Sequence, residues 1–171
     1  MTKEQISNAL AEKGVDLSNL DNWSMAIEGF KWLLDNIPEG SKILEIGAGR
    51  GTKELSKFWD VTSVEHNQEY INLVPNVKYI LAPLVNGWYS IDTLKQELPQ
   101  KYELLIIDGP PGEEGRPTIL ANLDLFNLDC KIMVDDVHRG GSLNIAKAIG
   151  TKLSREVIVH QGWQKKFATI E

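Results

Sequence analysis

At 171 residues, with 42% hydrophobic and 25% charged side chains, the chain has the composition of one soluble globular domain able to bury a core. A formal charge of −6 and a pI near 5.1 argue against nucleic acid as the main partner, and no apolar run reaches the length of a membrane span. The single cysteine, Cys130, excludes an internal disulfide, and the N-terminal MTKEQISNALAEKG has no apolar signal core, so a reducing cytoplasm is the expected setting.

Residues 1–22 are expected to be an N-terminal helical segment, with Ile6 and Leu10 on one face and Gly14 as its stop. Residues 23–171 are expected to be the main domain. A helix is predicted from Trp23 to Ile37, carrying Ile27, Phe30, Leu33 and Leu34 at helical spacing and ending at Pro38-Glu39-Gly40. Lys42 to Ile46 reads as a buried parallel strand. Gly47, Gly49 and Gly51 form a turn after it, and a helix then runs to about Trp59. Val61 to Val64 is the next strand, capped by Glu65, with a short helix over Tyr70–Leu73 beyond it. Val77 to Leu81 is the third strand, followed by Ala82-Pro83-Leu84 and by Gly87-Trp88-Tyr89, read as a loop. Its two aromatics suit either stacking on a ligand or core packing.

A helix over Ile91–Leu98 leads to a central strand, Tyr102 to Ile107, that ends in Asp108-Gly109-Pro110-Pro111-Gly112. A helix from about Thr118 to Phe126 precedes the strand Lys131–Val134. That strand ends in Asp135-Asp136-Val137-His138-Arg139, before Gly140-Gly141 and a helix to about Leu153. Two last strands, Arg155–His160 and Lys165–Ile170, flank a turn at Gly162-Trp163.

In an open α/β sheet the ligand lies outside the carboxyl ends of the strands. The glycine turn there lets a ligand approach the backbone, and Glu65 is placed to accept hydrogen bonds from ribose hydroxyls. An adenosine-containing cofactor is therefore expected. A dinucleotide fingerprint wants a third glycine where Thr52 stands, and Glu45 lies inside the preceding strand. This E-x-G-x-G-x-G pattern resembles motif I of the class I S-adenosylmethionine (SAM) methyltransferases. The resemblance covers nearly the whole chain. It implies a Rossmann-like α/β fold, with a seven-stranded, mostly parallel sheet, helices on both faces and an antiparallel last strand. It implies a cofactor site of Glu45, Gly47, Ala48, Gly49, Gly51, Glu65 and Asp108, with His66 and Ala82 beside the adenine.

Asp108, Asp135 and Asp136 should meet across one cleft, where carboxylates repel and raise one another's pKa unless a cation joins them. A divalent ion (magnesium, manganese or cobalt) is one candidate, and Arg116 and Arg139 are the other. The three acids resemble the metal ligands of catechol-type O-methyltransferases, with Asp136 in place of an Asn. The loops IDGPPG, Gly115-Arg116 and VDDVHR resemble the plant glucuronoxylan 4-O-methyltransferases and small bacterial methyltransferase-like proteins with DGPPG and GWY elements. That resemblance implies methyl transfer to a sugar or other small-molecule hydroxyl, with Arg116 and Arg139 facing an acidic sugar. Asp108, Asp136, Arg116 and Arg139 are the expected catalytic group. His138 is a candidate general base, since an alcohol is a poor nucleophile. A non-catalytic SAM-binding scaffold, a nucleic-acid methyltransferase and a nicotinamide oxidoreductase stay open as alternatives.

Overall fold

The structure, a computed structural model, describes residues 1–20, 24–111, 115–163 and 165–171. Trp23, the expected start of the second helix, and Gly112 of the DGPPG loop lie outside the described residues. The strand runs rich in Ile, Leu and Val assemble in chain order as β1 Lys42–Ile46, β2 Asp60–Glu65, β3 Lys78–Leu81, β4 Leu84–Val85, β5 Trp88–Tyr89, β6 Leu104–Ile107, β7 Lys131–Val134, β8 Val157–Gln161 and β9 Lys166–Ile170. Seven of them form one sheet in the order β3-β2-β1-β6-β7-β9-β8. The pairs β2–β3, β1–β2, β1–β6 and β6–β7 are parallel, and β9 runs antiparallel to both neighbours. The fold class, a seven-stranded and mostly parallel sheet with an antiparallel last strand, is the one expected from the sequence.

The central strands are apolar on both faces because helices cover both. In β1, β6 and β7, the side chains Leu44, Ile46, Leu105, Ile107, Ile132 and Val134 enter one core. Ile43, Leu104, Ile106 and Met133 alternate into the other. The helices are α1 Lys3–Glu12, α2 Ile27–Asn36, α3 Arg50–Leu55, α4 Ile91–Glu97 and α5 Gly140–Leu153. The N-terminal helix α1 starts on a reciprocal capping box between Thr2 and Gln5 and buries Ile6 and Leu10 in the second core. It is therefore packed structure at the rim of the domain. The expected α-helix near Thr118–Phe126 is instead a 3-10 segment, Arg116–Leu125, bent at Asn122.

Gly87-Trp88-Tyr89 is not an exposed loop. It belongs to a tight β4–β5 hairpin whose turn residues, Asn86 and Gly87, have φ of 53° and 80°. Asn-Gly is the dipeptide that a two-residue turn with two left-handed positions selects, and it is the signal that marks this hairpin. Trp88 and Tyr89 are buried in the first core.

The ends of β1 and β6 meet through glycine. Gly47 has φ of 102°, and a Cβ there would lie 3.0 Å from the Cα and N of Gly109. Gly109 is equally crowded from the other side, by Gly47 and by the Tyr89 hydroxyl. Gly47→Ala is therefore expected to destabilise the fold by about 1–3 kcal/mol through backbone strain and loop displacement. Urea unfolding measures this, and an unchanged midpoint would show that the two turns are not in contact.

Candidate functional site

Four strands that end at the carboxyl edge of the parallel sheet, β1, β2, β6 and β7, deliver polar residues or a turn to one cavity of about 560 Å³. That volume lies within the usual range for small-molecule sites. One side is the glycine turn after β1 with Glu65, His66, Asn67 and Tyr70 after β2. The other side carries Asp108, Arg116, Asp136, Arg139 and Lys165. Ser24 and Met25, just before α2, close part of the rim.

The glycine turn is held by two carboxylates. Glu65 Oε2 accepts from the Ala48 amide at 3.0 Å, and its Oε1 accepts from the amides of His66 and Asn67, both at 2.7 Å. A carboxylate has about four lone-pair sites, and with three amides bound Glu65 retains one, on Oε2, for a ligand hydroxyl while fixing the turn. The Gly49 amide donates to Thr52 Oγ1 at 2.9 Å, and that hydroxyl donates to Glu45 Oε2 at 2.8 Å. Ser63 donates to the same oxygen at 2.7 Å. Thr52 thus occupies the third-glycine position because its hydroxyl links the turn to the buried acid of β1. Burial pushes the Glu45 carboxyl up to about 7, against the lowering effect of the Ser63 and Thr52 hydroxyls.

The opposite side is a mixed charge cluster. Asp136 adopts a left-handed backbone, φ 59°, an unusual conformation for a residue with a Cβ. Its carboxylate is buried yet lines the cavity. Oδ1 lies 3.4 Å from Lys165 Nζ and makes no hydrogen bond among the described residues, while Oδ2 lies 3.5 Å from Arg139 Nη1. Lys165 also donates to the Ser24 carbonyl at 2.9 Å, joining the β8–β9 hairpin to the rim segment. Asp135 points away: it is fully buried, and both its carboxylate oxygens lack hydrogen-bond partners among the described residues. Burial first, then the adjacent Asp136, push it up to about 6. Asp108 keeps 25% of its side chain open, and its carboxyl is raised by burial and by Asp135, with Arg116 opposing.

Several expected roles change in this geometry. Asp108, Asp135 and Asp136 do not make a metal cradle. Asp135 turns into the protein, Lys165 and Arg139 already flank Asp136, and Arg116 lies 3.7 Å from Asp108. Among the described residues, no group of three or more His, Cys, Asp or Glu side chains could hold a metal ion. The donor set therefore does not fit the magnesium, manganese or cobalt site expected from the sequence.

Arg116 is buried, and its guanidinium reaches the carbonyls of Asp108 at 2.6 Å and Pro110 at 3.4 Å and the Ser142 hydroxyl at 3.2 Å. It fastens the DGPPG loop to α5 and has little capacity left for an acidic sugar. Arg139, with 40% of its side chain exposed, remains open to a ligand. His138 is exposed, lies 3.9 Å from Asp136 Oδ1 and does not line the cavity. Ala82 is fully buried in the first core and donates its amide to the Glu65 carbonyl, so it is no wall of an adenine site. Asn67 and Tyr70 line the cavity with His66. Lys165 and Tyr70 were not apparent from sequence patterns. Lys165 meets Ser24 across a separation of 141 residues, which no local spacing encodes.

No family model matches the chain, and no curated protein matches it. Solved structures do. A methyltransferase from Pyrococcus furiosus is 22% identical over 84% of this chain and 80% of its own, with a TM-score of 0.59. A putative caffeoyl-CoA O-methyltransferase from Staphylococcus aureus is 14% identical over 100% of this chain and 93% of its own, also at 0.59. Aeropyrum pernix fibrillarin, solved with bound S-adenosyl-L-methionine, is 15% identical over 78% of this chain and 67% of its own, at 0.57. At these identities the shared property is the fold, the Rossmann-like fold of class I methyltransferases.

The raised carboxyls give stability a definite pH dependence. Between about 4.5 and about 7 the folded protein keeps a proton on Glu45 that the unfolded chain has lost. Stability is therefore expected to fall as pH rises through that window, and Asp135 adds the same sign up to about 6. Glu45→Gln is expected to flatten the fall by at most about 3 kcal/mol. Thermal unfolding across the window measures it, and an identical slope in the variant would place the Glu45 pKa near its ordinary value.

Proposed function

We propose that the protein is an S-adenosylmethionine-dependent methyltransferase that methylates a hydroxyl of a small molecule, with sugars the first class to test. One observation carries the reading. A cavity joins a carboxylate-anchored glycine turn to a charged end where a buried acid, Asp136, is held by ion pairs and not by hydrogen bonds at its Oδ1. The fold shared with methyltransferases supports it, as does the bound S-adenosyl-L-methionine of the archaeal fibrillarin.

When bound, S-adenosylmethionine supplies a methyl group on a sulfonium, which leaves as a thioether. In this reading the Gly47–Gly49 backbone lies along its amino-acid part. Glu65 accepts the ribose hydroxyls, and His66, Asn67 and Tyr70 flank the base. Asp108 and Asp136 offer negative charge near the sulfonium. Asp136 Oδ1, ion-paired with Lys165 at 3.4 Å but making no hydrogen bond among the described residues, accepts the hydroxyl proton of the acceptor as the oxygen takes the methyl group. Arg139 and Lys165 hold that carboxylate and orient polar groups of the acceptor. Positioning and exclusion of water account for most of the remaining work. The donor set around Asp136 favours protonic over metal-assisted activation of the hydroxyl.

Calorimetric titration of the EDTA-treated protein with S-adenosylmethionine and S-adenosylhomocysteine tests the cofactor half. Both are expected to bind, and Glu65→Ala is expected to lose at least about tenfold in affinity, roughly 1.4 kcal/mol. Incubation with methyl-labelled cofactor and a panel of neutral sugars, uronic acids and polyols tests the transfer half. Asp136→Asn is expected to abolish transfer while leaving cofactor affinity within about twofold. Absence of cofactor binding would refute the proposal, and binding without transfer to any hydroxyl would favour a non-catalytic cofactor-binding domain.

A further inference from the structure

The core beneath the cavity contains a polar group that packing alone does not explain. Tyr89 is 1% exposed and sits in the β4–β5 hairpin among Trp88, Leu94 and other apolar side chains. Its hydroxyl has no hydrogen-bond partner among the described residues. A phenylalanine would fill the same volume without burying an oxygen, so the hydroxyl is a cost unless another arrangement of the protein gives it a partner.

Its location indicates which arrangement that is. The hydroxyl lies against the crossing of the two glycine turns. A Cβ on Gly109 would run into it and would also come 2.8 Å from Gly47 Cα. The hairpin is pressed onto the same loop a second time, because a Cβ on Gly115 would run into the Gly87 carbonyl. On its other side the Tyr89 ring packs edge-on to His66, with centroids 6.2 Å apart, and His66 lines the cavity beside Glu65. Glu65 and Asp108 are the strongest of the acidic influences on the phenol, which is held well above its ordinary pKa by burial first and then by those two carboxylates. Tyr89 thus underlies both carboxylates and both glycine turns, without being part of the cavity wall.

We propose that Tyr89 is a positioning residue of the cofactor site, whose buried hydroxyl gains an acceptor at the Gly47–Gly109 crossing only when the cavity is filled. The role rests on the S-adenosylmethionine reading of the cavity. A ligand lying on the Gly47–Gly49 backbone shifts the turn against Gly109, and a cationic ligand draws on Asp108. Either displacement alters the oxygens around the phenol. The empty site then carries an unsatisfied donor, and filling the site satisfies it. The chain would lose stability in the empty state and recover it as cofactor affinity.

Tyr89→Phe separates this from a packing role, because the two readouts move in opposite directions. Removing the hydroxyl is expected to raise the Tm of the ligand-free protein or leave it unchanged. It is expected to weaken binding of S-adenosylmethionine and of S-adenosylhomocysteine alike, by roughly tenfold in calorimetry. A packing residue would lower Tm without a matching loss of affinity. Wild-type binding with equally tight binding by the Phe variant would overturn the positioning role and leave the methyltransferase reading intact. A lowered Tm of the ligand-free variant would also overturn it, by showing that the hydroxyl is already bonded in the empty protein. If the wild-type protein binds neither compound, the cofactor reading fails and this role fails with it. Tyr89→Leu serves as a control: it removes ring and hydroxyl together and is expected to lower both Tm and affinity.

Discussion

Gly47 and Gly109 bring the ends of two neighbouring parallel strands, β1 and β6, into backbone contact, and the cavity is built on that contact. The Asp108 amide donates to the Ile46 carbonyl at 3.0 Å, so the strand pairing continues to the edge where the turns begin. From there one chain rises into the glycine turn toward α3, and the other enters the Asp108–Pro111 loop. A side chain at either glycine would force the turns apart. Glu65 could then no longer hold the Ala48 amide, and Arg116 could no longer hold the Asp108 carbonyl at its present distance. The ligand-facing geometry on both sides of the cavity thus depends on two absent side chains.

Electrostatics distinguishes the two sides. Around the glycine turn, carboxylates are satisfied by amides and hydroxyls, which fix the backbone and leave lone pairs for neutral hydroxyl donors. Around Asp136 the partners are charged side chains at 3.4 and 3.5 Å, longer contacts than those of the amides and hydroxyls at the glycine turn. Three acids and three basic side chains (Asp108, Asp135 and Asp136 with Arg116, Arg139 and Lys165) share this end. A cluster balanced in this way tolerates burial better than three carboxylates alone.

Much of this was legible in the sequence, for physical reasons that differ from residue to residue. The sheet could be read because buried parallel strands are short apolar runs, and β1, β2, β6 and β7 end at a Gly, Asp or Glu at the ligand edge. Glu65 and Asp108 follow from that rule alone. The Thr52 substitution for glycine argued against a dinucleotide, and its link from Gly49 to Glu45 gives the reason. Other residues escaped because their roles depend on direction and not on position. Asp135 and Asp136 are neighbours in sequence, yet the left-handed backbone at Asp136 sends its carboxylate to the cavity while that of Asp135 is buried. Arg116 looked like a ligand for acidic groups, but the loop that it closes takes its donors. Ala82 follows the third strand at the right height yet faces the core. Lys165 comes from a hairpin whose relation to the rim segment is set only by the completed sheet.

The central claim is that one cavity holds S-adenosylmethionine with its ribose on Glu65 and its sulfur between the glycine turn and Asp108. A crystal structure of the protein grown with S-adenosylhomocysteine tests it most directly. The account predicts ribose hydroxyls within hydrogen-bond distance of the Glu65 carboxylate, the base beside His66 and Tyr70, and the sulfur facing the Asp108–Asp136 side. The compound bound in the opposite direction, bound outside this cavity, or absent at saturating concentration would contradict it.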